Sequence, residues 1–341
     1  MRGPSSGTRR TLSLLVATAA LGWSVAPATS APARSEVVIG AAGDIACASD
    51  PNGPAAPDSC QYDDTSDLIL RSGLTAVLAL GDNQYDIGAL SAYQHYFDPW
   101  WGRVFPRIHP SPGNHEYAGD PSAKPLGYFG YFGDAVKGPD GLGYYSFDVP
   151  DGCTPGQGVC WHVIALSSEL CFASGGCGAP ADPSNPGTGN RMHEWLAADL
   201  AAHPNGTYPC TLAFWHHPRF SFSTGSGATG AVGPLWDLLY AAKTDVVLNG
   251  HSHNYQRWRP QTPDGAADPG RGIREFIVGT GGASKYALQS GPWPHNLLAA
   301  QADSFGILRL SLRSAGYGWE WVSAAGQPSF SDAKARSAAC V

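Results

Sequence analysis

Charge is scarce in this sequence. Asp, Glu, Lys and Arg supply 14% of its 341 residues, and the formal net charge is −7. No basic run follows the N-terminal segment, so the chain offers no phosphate-tracking patch of the kind nucleic-acid recognition uses. Beyond that segment no apolar stretch is long enough to span a bilayer, which predicts a soluble mature chain. Internal repeats and a composition break that would mark a domain boundary are also missing. A single large α/β domain is expected, although length alone would allow two. Disorder is argued against by what is abundant: 43% hydrophobic residues, eleven Trp and fourteen Tyr. The 43 Gly and 28 Pro predict long ordered loops.

Arg2, Arg9 and Arg10 precede the apolar stretch TLSLLVATAALGWSVAP, and the small residues ATSA follow it. This is the layout of an export signal over residues 1–30, with cleavage expected after Ser30. TRRTL at 8–12 also fits a twin-arginine signal; a chance Arg-Arg pair in an ordinary signal fits equally well. The expected location is extracellular or periplasm-like. All eight cysteines lie beyond the cut, and an even count in an exported chain reads as disulfides. Close neighbours suggest Cys47–Cys60, Cys153–Cys160 and Cys171–Cys177, leaving Cys210 and Cys340 to tie down the C-terminus. CTPGQGVC and CFASGGC lack the two-residue spacing of zinc knuckles.

SEVVIGAAGDIA, TAVLALGDNQY, CTLAFWHHP, DVVLNGHSH and REFIVGTGG read as apolar strands that end in polar turns. GYYSFDV and WHVIALSSE read as a strand pair, and FGILRLSLRSAGYGWEWVSA as a closing hairpin. Helices are expected at TSDLILRSG, at ALSAYQHYFDPWWG up to Pro99, at NRMHEWLAADLAAH and at VGPLWDLLYAAK. In the third of these, Met192, Trp195, Leu196 and Leu200 share one face. Strands that are buried runs, alternating with helices, suggest mixed sheets covered by helices, with a second sheet packed on the first.

Five segments share one pattern: an apolar run, a turn, then side chains able to bind metal. They are GDIA (Asp44), GDNQY (Asp82, Tyr85), GNHE (Asn114, His115), WHHP (His216, His217) and GHSH (His251, His253). Strand ends are where sheets of this kind assemble sites. A glycine before the donor lets the chain turn sharply. Two carboxylates, a phenol, an amide oxygen and at least three imidazoles favour Zn, Fe or Mn over calcium cages or sulfur clusters. Seven donors are too many for one tetrahedral ion and suit two ions sharing a carboxylate.

The set resembles the calcineurin-like metallophosphoesterases and, among them, the purple acid phosphatases. The general pattern opens with Asp-x-His, but Ile45 and Ala46 follow Asp44 here. Purple acid phosphatases also lack that histidine and place a tyrosine in Gly-Asp-x-x-Tyr, the role that falls to Tyr85. The resemblance implies a four-layer α/β/β/α sandwich over residues 36–325, with 326–341 as a C-terminal tail. It implies one metal on Asp44, Asp82, Tyr85 and His253, and another on Asp82, Asn114, His216 and His251. His115 would face the substrate as acid or hydrogen-bond donor. Gln256 replaces the family's glutamate in GHSHNYQR, and Ala46 replaces its usual glycine; neither removes a ligand.

The implied reaction is hydrolysis of phosphate monoesters by a metal-bound hydroxide on a small phosphorylated substrate, with no protein partner. A phenolate at Tyr85 suits Fe(III); the second ion would be Fe(II), Zn(II) or Mn(II). A phosphodiesterase or nucleotidase on the same site is the alternative, and a non-catalytic secreted binder the more distant one. His217 is a candidate for lining the substrate pocket, and Arg257 for contacting phosphate or bracing the site. Glu116 reads as a support for the ligands. His95, His162, His193 and His203 have no ligand partners at useful spacing and read as structural or surface residues.

Overall fold

The computed structural model describes residues 35–51, 59–119, 124–172, 176–178 and 188–341, with Met1 and Gly3; over 334–337 it describes the backbone. The export signal expected at 1–30 lies outside the described residues, save those two. In chain order the strands are β1 (Val37–Ala42), β2 (Ala76–Leu80), β3 (Ile108–Ser111), β4 (Tyr145–Val149), β5 (Trp161–Ala165), β6 (Thr211–Phe214), β7 (Val246–Asn249), β8 (Tyr255–Trp258), β9 (Arg274–Val278), β10 (Leu297–Gln301), β11 (Gly306–Arg313), β12 (Gly316–Ser323) and β13 (Ala333–Ala339). One sheet runs β13-β12-β11-β1-β2-β3 and the other β10-β8-β9-β7-β6-β5-β4.

Within the first sheet β1, β2 and β3 are parallel. Within the second, β5, β6, β7 and β9 are parallel. Parallel strands are covered on both faces and so read as unbroken apolar runs: AVLAL of β2 and VVLN of β7 are buried throughout. The core between the sheets brings Ile39, Val77 and Leu310 of one against Val163, Phe214 and Phe276 of the other. The expected sandwich of two mixed sheets is therefore present. β11 behaves differently: Leu308, Leu310 and Leu312 point inward while Arg309, Ser311 and Arg313 alternate outward. There the outer face carries ion pairs, Arg309 with Glu320 and Arg313 with Glu36.

α1 (Tyr62–Arg71) has Asp63 and Asp64 in its first turn and Arg71 in its last, which suits the helix dipole. α2 (Asn114–Ala118) is a short turn directly after β3. α3 (Thr188–Ala202) and α4 (Gly233–Ala241) cover the second sheet. The predicted face of α3 packs inward, with Met192, Leu196 and Leu200 buried and Trp195 half-buried against Trp236 and Leu239 of α4. Among the described residues no helix is long and apolar enough to cross a membrane. All four disulfides match the pairing expected from spacing. The segment 326–341, expected as a tail, contains β13 and is tied to the start of β6 by Cys210–Cys340.

His162 and His203 lack partners in sequence but gain them in space. His162 Nδ1 lies 3.2 Å from Asp148 Oδ1, and its Nε2 lies 2.8 Å from Asp199 Oδ2 on α3. Ser146 and Tyr208 donate to the remaining oxygens of Asp199 and Asp148. Each carboxylate oxygen thus faces a donor, and His203 stacks on the His162 ring at 3.8 Å. The network joins β4, β5 and α3 through its own side chains.

Candidate metal centre

The five motif loops leave the carboxyl ends of β1, β2, β3, β6 and β7, and they meet in the cleft between the two sheets. Asp44, Asp82 and His251 all have left-handed backbone, with φ of 59°, 47° and 67°. A non-glycine residue is disfavoured there by about 1 kcal/mol or more, and such strain concentrates at functional positions. This corrects the expected role of the preceding glycines. At Gly113 and Gly250 the backbone φ is not positive; what matters is space. A Cβ on Gly250 would lie 2.7 Å from Asp44 Oδ2, and one on Gly113 would collide with Asp82 Oδ1. Gly81, with φ 84°, does turn the chain and also lies against His216.

Tyr85 Oη lies 3.2 Å from Asp44 Oδ1, 3.2 Å from Asp82 Oδ2 and 3.0 Å from His253 Nε2. One hydroxyl proton cannot serve three acceptors. On the other side, Asp82 Oδ2 lies 3.0 Å from His216 Nε2, which lies 3.2 Å from His251 Nδ1. Asp82 therefore stands between two donor groups, Asp44/Tyr85/His253 and His216/His251. The ring tautomers are set by outer partners: His216 Nδ1 donates to the Leu80 carbonyl (2.9 Å), and His253 Nδ1 pairs with Ser284 Oγ (2.7 Å). Both leave Nε2 aimed into the site. His251 N donates to Asp44 Oδ2 (2.9 Å), fixing the orientation of that carboxylate.

Three observations test whether these residues suit metal. Asn114 Oδ1 is buried and has no partner among the described residues. Burial alone would lower His216, yet Asp82 beside it, and then Asp44, raise it to about 10. Burial, and then the His216 charge, lowers His251 to about 4. The anionic donors thus draw positive charge to His216, and that charge in turn keeps a second proton off His251. Burial, then Asp82 and Asp44, pushes the Tyr85 phenol well above its ordinary value, so a phenolate there requires a nearby cation. The donor set fits two cations.

Glu116 binds no part of this cluster directly but organises it. Its carboxylate accepts from the backbone N–H groups of Asp82, Asn83, Gln84 and Gly113 and from the Tyr93 hydroxyl, at 2.7–3.1 Å. His115 donates its backbone N–H to Asp82 Oδ1 (2.9 Å), and its half-exposed ring lies 4.2 Å from that of Tyr85 with Nε2 3.8 Å from Asp82 Oδ2. His217 is buried beside the cluster, its ring 4.2 Å from that of His251. Arg257 does not face this cluster: Asp332 holds its guanidinium with two bonds (2.7 and 2.8 Å), and it stacks over Trp319. Tyr286, stacked on His253 at 4.0 Å, and the segment Ser168–Phe172 beside His217 carry no motif and were missed in the sequence.

Two mixed sheets that bring seven oxygen and nitrogen donors together at their parallel strand ends define a metallophosphoesterase fold. The family model for calcineurin-like phosphoesterase matches residues 38–255, and the chain belongs to that family. Purple acid phosphatase 22 of Arabidopsis thaliana is 30% identical over 181 residues, which is 52% of this chain and 36% of the relative. The chain thus matches about a third of that relative's length. Purple acid phosphatase PPD1 from yellow lupin superposes with a TM-score of 0.65 at 17% identity, covering 88% of this chain and 54% of that one. GAP50, the anchor in the inner membrane complex of Plasmodium, superposes with a TM-score of 0.61 at 14% identity, covering 88% and 89%. These likenesses to solved structures show the fold.

Proposed function

We propose that the chain is a secreted binuclear phosphoesterase of the purple acid phosphatase type that hydrolyses phosphate monoesters. The observation that carries this reading is the position of Asp82, whose Oδ2 lies 3.2 Å from Tyr85 Oη and 3.0 Å from His216 Nε2. A single carboxylate oxygen shared by two donor groups is the arrangement a bridging ligand needs. Asp44, Asp82, Tyr85 and His253 would hold Fe(III); Asp82, Asn114, His216 and His251 would hold Fe(II), Zn(II) or Mn(II). When bound, such a pair neutralises phosphate charge and acidifies water.

The chain's own residues do the rest. Asn114 is a neutral donor, as His216 and His251 would be as ligands, so Asp82 would be the one anionic ligand of the second group and more of a bound cation's charge would be left to phosphate. His115 Nδ1 is tied to the Asp86 carbonyl, which leaves Nε2 facing the donor cluster, 3.8 Å from Asp82 Oδ2. From there Nε2–H can give its proton to the departing alkoxide. Four disulfides support the exported location.

Metal analysis together with hydrolysis of mono- and diester chromogenic phosphates across pH tests the reading. The expected result is two metal equivalents, faster monoester hydrolysis, and loss of both activities in Asp82→Asn. Full activity in Asp82→Asn would sink it. Fe(III) on Tyr85 should colour the protein by charge transfer, and Tyr85→Phe should bleach it. A colourless protein with full iron occupancy would remove the Tyr85 assignment.

A further inference from the structure

The wall of the centre beside His217 is built by a segment outside the donor motifs. β5 ends at Ala165, and the chain then makes a helical turn over Ser168–Cys171. Ser168 Oγ pairs with His217 Nδ1 (2.9 Å) and accepts from its backbone N–H (3.1 Å). Glu169 Oε2 lies 3.9 Å from His217 Nε2. The ring of Phe172 lies 4.8 Å from that of His217, tilted by 59°. Cys171, next to it, is buried and bonded to Cys177.

Phe172 is 49% exposed. A single exposed apolar side chain is ordinary on a protein surface. This one differs in where it stands and how it is held. Its ring is one contact from His217, and His217 is one contact, 4.2 Å, from the His251 ring. The Cys171–Cys177 disulfide anchors the residue next to Phe172, and the one ring that Phe172 packs against among the described residues is that of His217. A phosphate bound at the donor cluster with its ester group directed past His217 would bring that group onto the exposed face of Phe172. Glu169, on the same wall, offers an acceptor to a hydroxyl or amine on the group.

We propose that Phe172 determines leaving-group specificity by stacking on a flat π-surface, so that aryl and nucleoside monoesters are preferred over aliphatic ones. This rests on the phosphomonoesterase reading above. A ring-on-ring contact of this kind changes binding by about 3- to 10-fold.

The test is steady-state kinetics of the metal-loaded full chain on phenyl phosphate, adenosine 5′-monophosphate and glycerol 2-phosphate, with inorganic phosphate as inhibitor. Phe172→Ala should raise KM for the aromatic esters by about 3- to 10-fold. The glycerol 2-phosphate kcat/KM and the phosphate inhibition constant should stay within about 2-fold, because neither ligand reaches the ring. Phe172→Trp should restore the aromatic preference, which separates stacking from damage to the wall. An effect confined to adenosine 5′-monophosphate assigns the surface to a nucleobase, and one confined to phenyl phosphate assigns it to a simple arene. Equal losses on all three substrates, or no change on any, overturn the inference while leaving the phosphoesterase reading intact. No hydrolysis of any ester by the wild type overturns both.

Discussion

Glu116 shows how one carboxylate can hold a strained site in place. Four of its five donors are backbone N–H groups of the GDNQY and GNHE loops and the fifth is the Tyr93 hydroxyl; together they hold the loop in which Asp82 keeps a φ of 47°. Glu116→Gln keeps the shape but turns one acceptor oxygen into an N–H donor that faces backbone N–H groups. Leaving buried donors unsatisfied costs about 1–3 kcal/mol each. The variant should melt several degrees lower, and loss of a group that orients metal ligands typically weakens metal binding about 10- to 100-fold. Thermal melts and metal titration against a competing chelator check this; unchanged values in both would show that the hub is dispensable. The donors themselves were legible because each follows an apolar run, directly in the case of His216 and through a glycine in the others, or stands two or three residues further along. The groups that aim them were not. The Leu80 carbonyl reaches His216 from 136 positions away, and Ser284 reaches His253 from 31. No local pattern links residues at such distances. Arg257 misled for the same reason: its neighbour in sequence is the GHSH motif, whereas its partner Asp332 is 75 residues on.

Strands that run through the core announce themselves, whereas strands with mixed polarity do not. β2, β5, β6 and β7 are continuous apolar runs and were readable. β8 reads YQRW, and its Gln256 is buried because its amide bonds the Phe222 backbone and the Asn254 side chain. β13 reads AKARSAA, a polar edge strand that the sequence presents as a tail. What holds such a strand is its register on β12 and the Cys210–Cys340 bond, which closes a loop of 130 residues. In the chain-entropy account a loop of that size contributes about 4–5 kcal/mol. The double variant Cys210→Ala/Cys340→Ala should lose stability on that scale in urea unfolding. Its kcat/KM should remain within about 2-fold of wild type, because Cys210 precedes β6 and His216 follows it. An unchanged unfolding midpoint would mean that pairing with β12 alone secures the C-terminus.

At the scale of the whole molecule, burial sets how stability responds to pH, and Glu275 on β9 is the clearest case. Its side chain is fully buried. Oε1 accepts from the backbone N–H groups of Arg219 and Phe220 at 3.0 and 3.3 Å, holding the turn that follows His216 and His217. Oε2 has no partner among the described residues. Burial raises the group from 4.5 to about 8, against the opposing pull of those two N–H bonds. The folded chain therefore keeps this proton over a range where the unfolded chain has lost it. The stability it contributes is complete below pH about 4.5 and drains away as pH rises towards about 8. At about 1.4 kcal/mol per unit, the whole effect is on the order of 5 kcal/mol. Asp82 acts with the opposite sign. Burial alone would raise it, but His216 and then His115 hold it below the ordinary range, so its contribution fades as pH falls. Glu275→Gln retains the Oε1 acceptor and removes the titration. Melting temperature measured from pH 4 to 9 should fall between about pH 4.5 and 8 in the wild type and stay flatter over that window in the variant, with the two profiles parallel outside it. Profiles parallel within the window too would show that Glu275 is already ionised in the folded chain, and that the unpaired oxygen meets its charge in some other way.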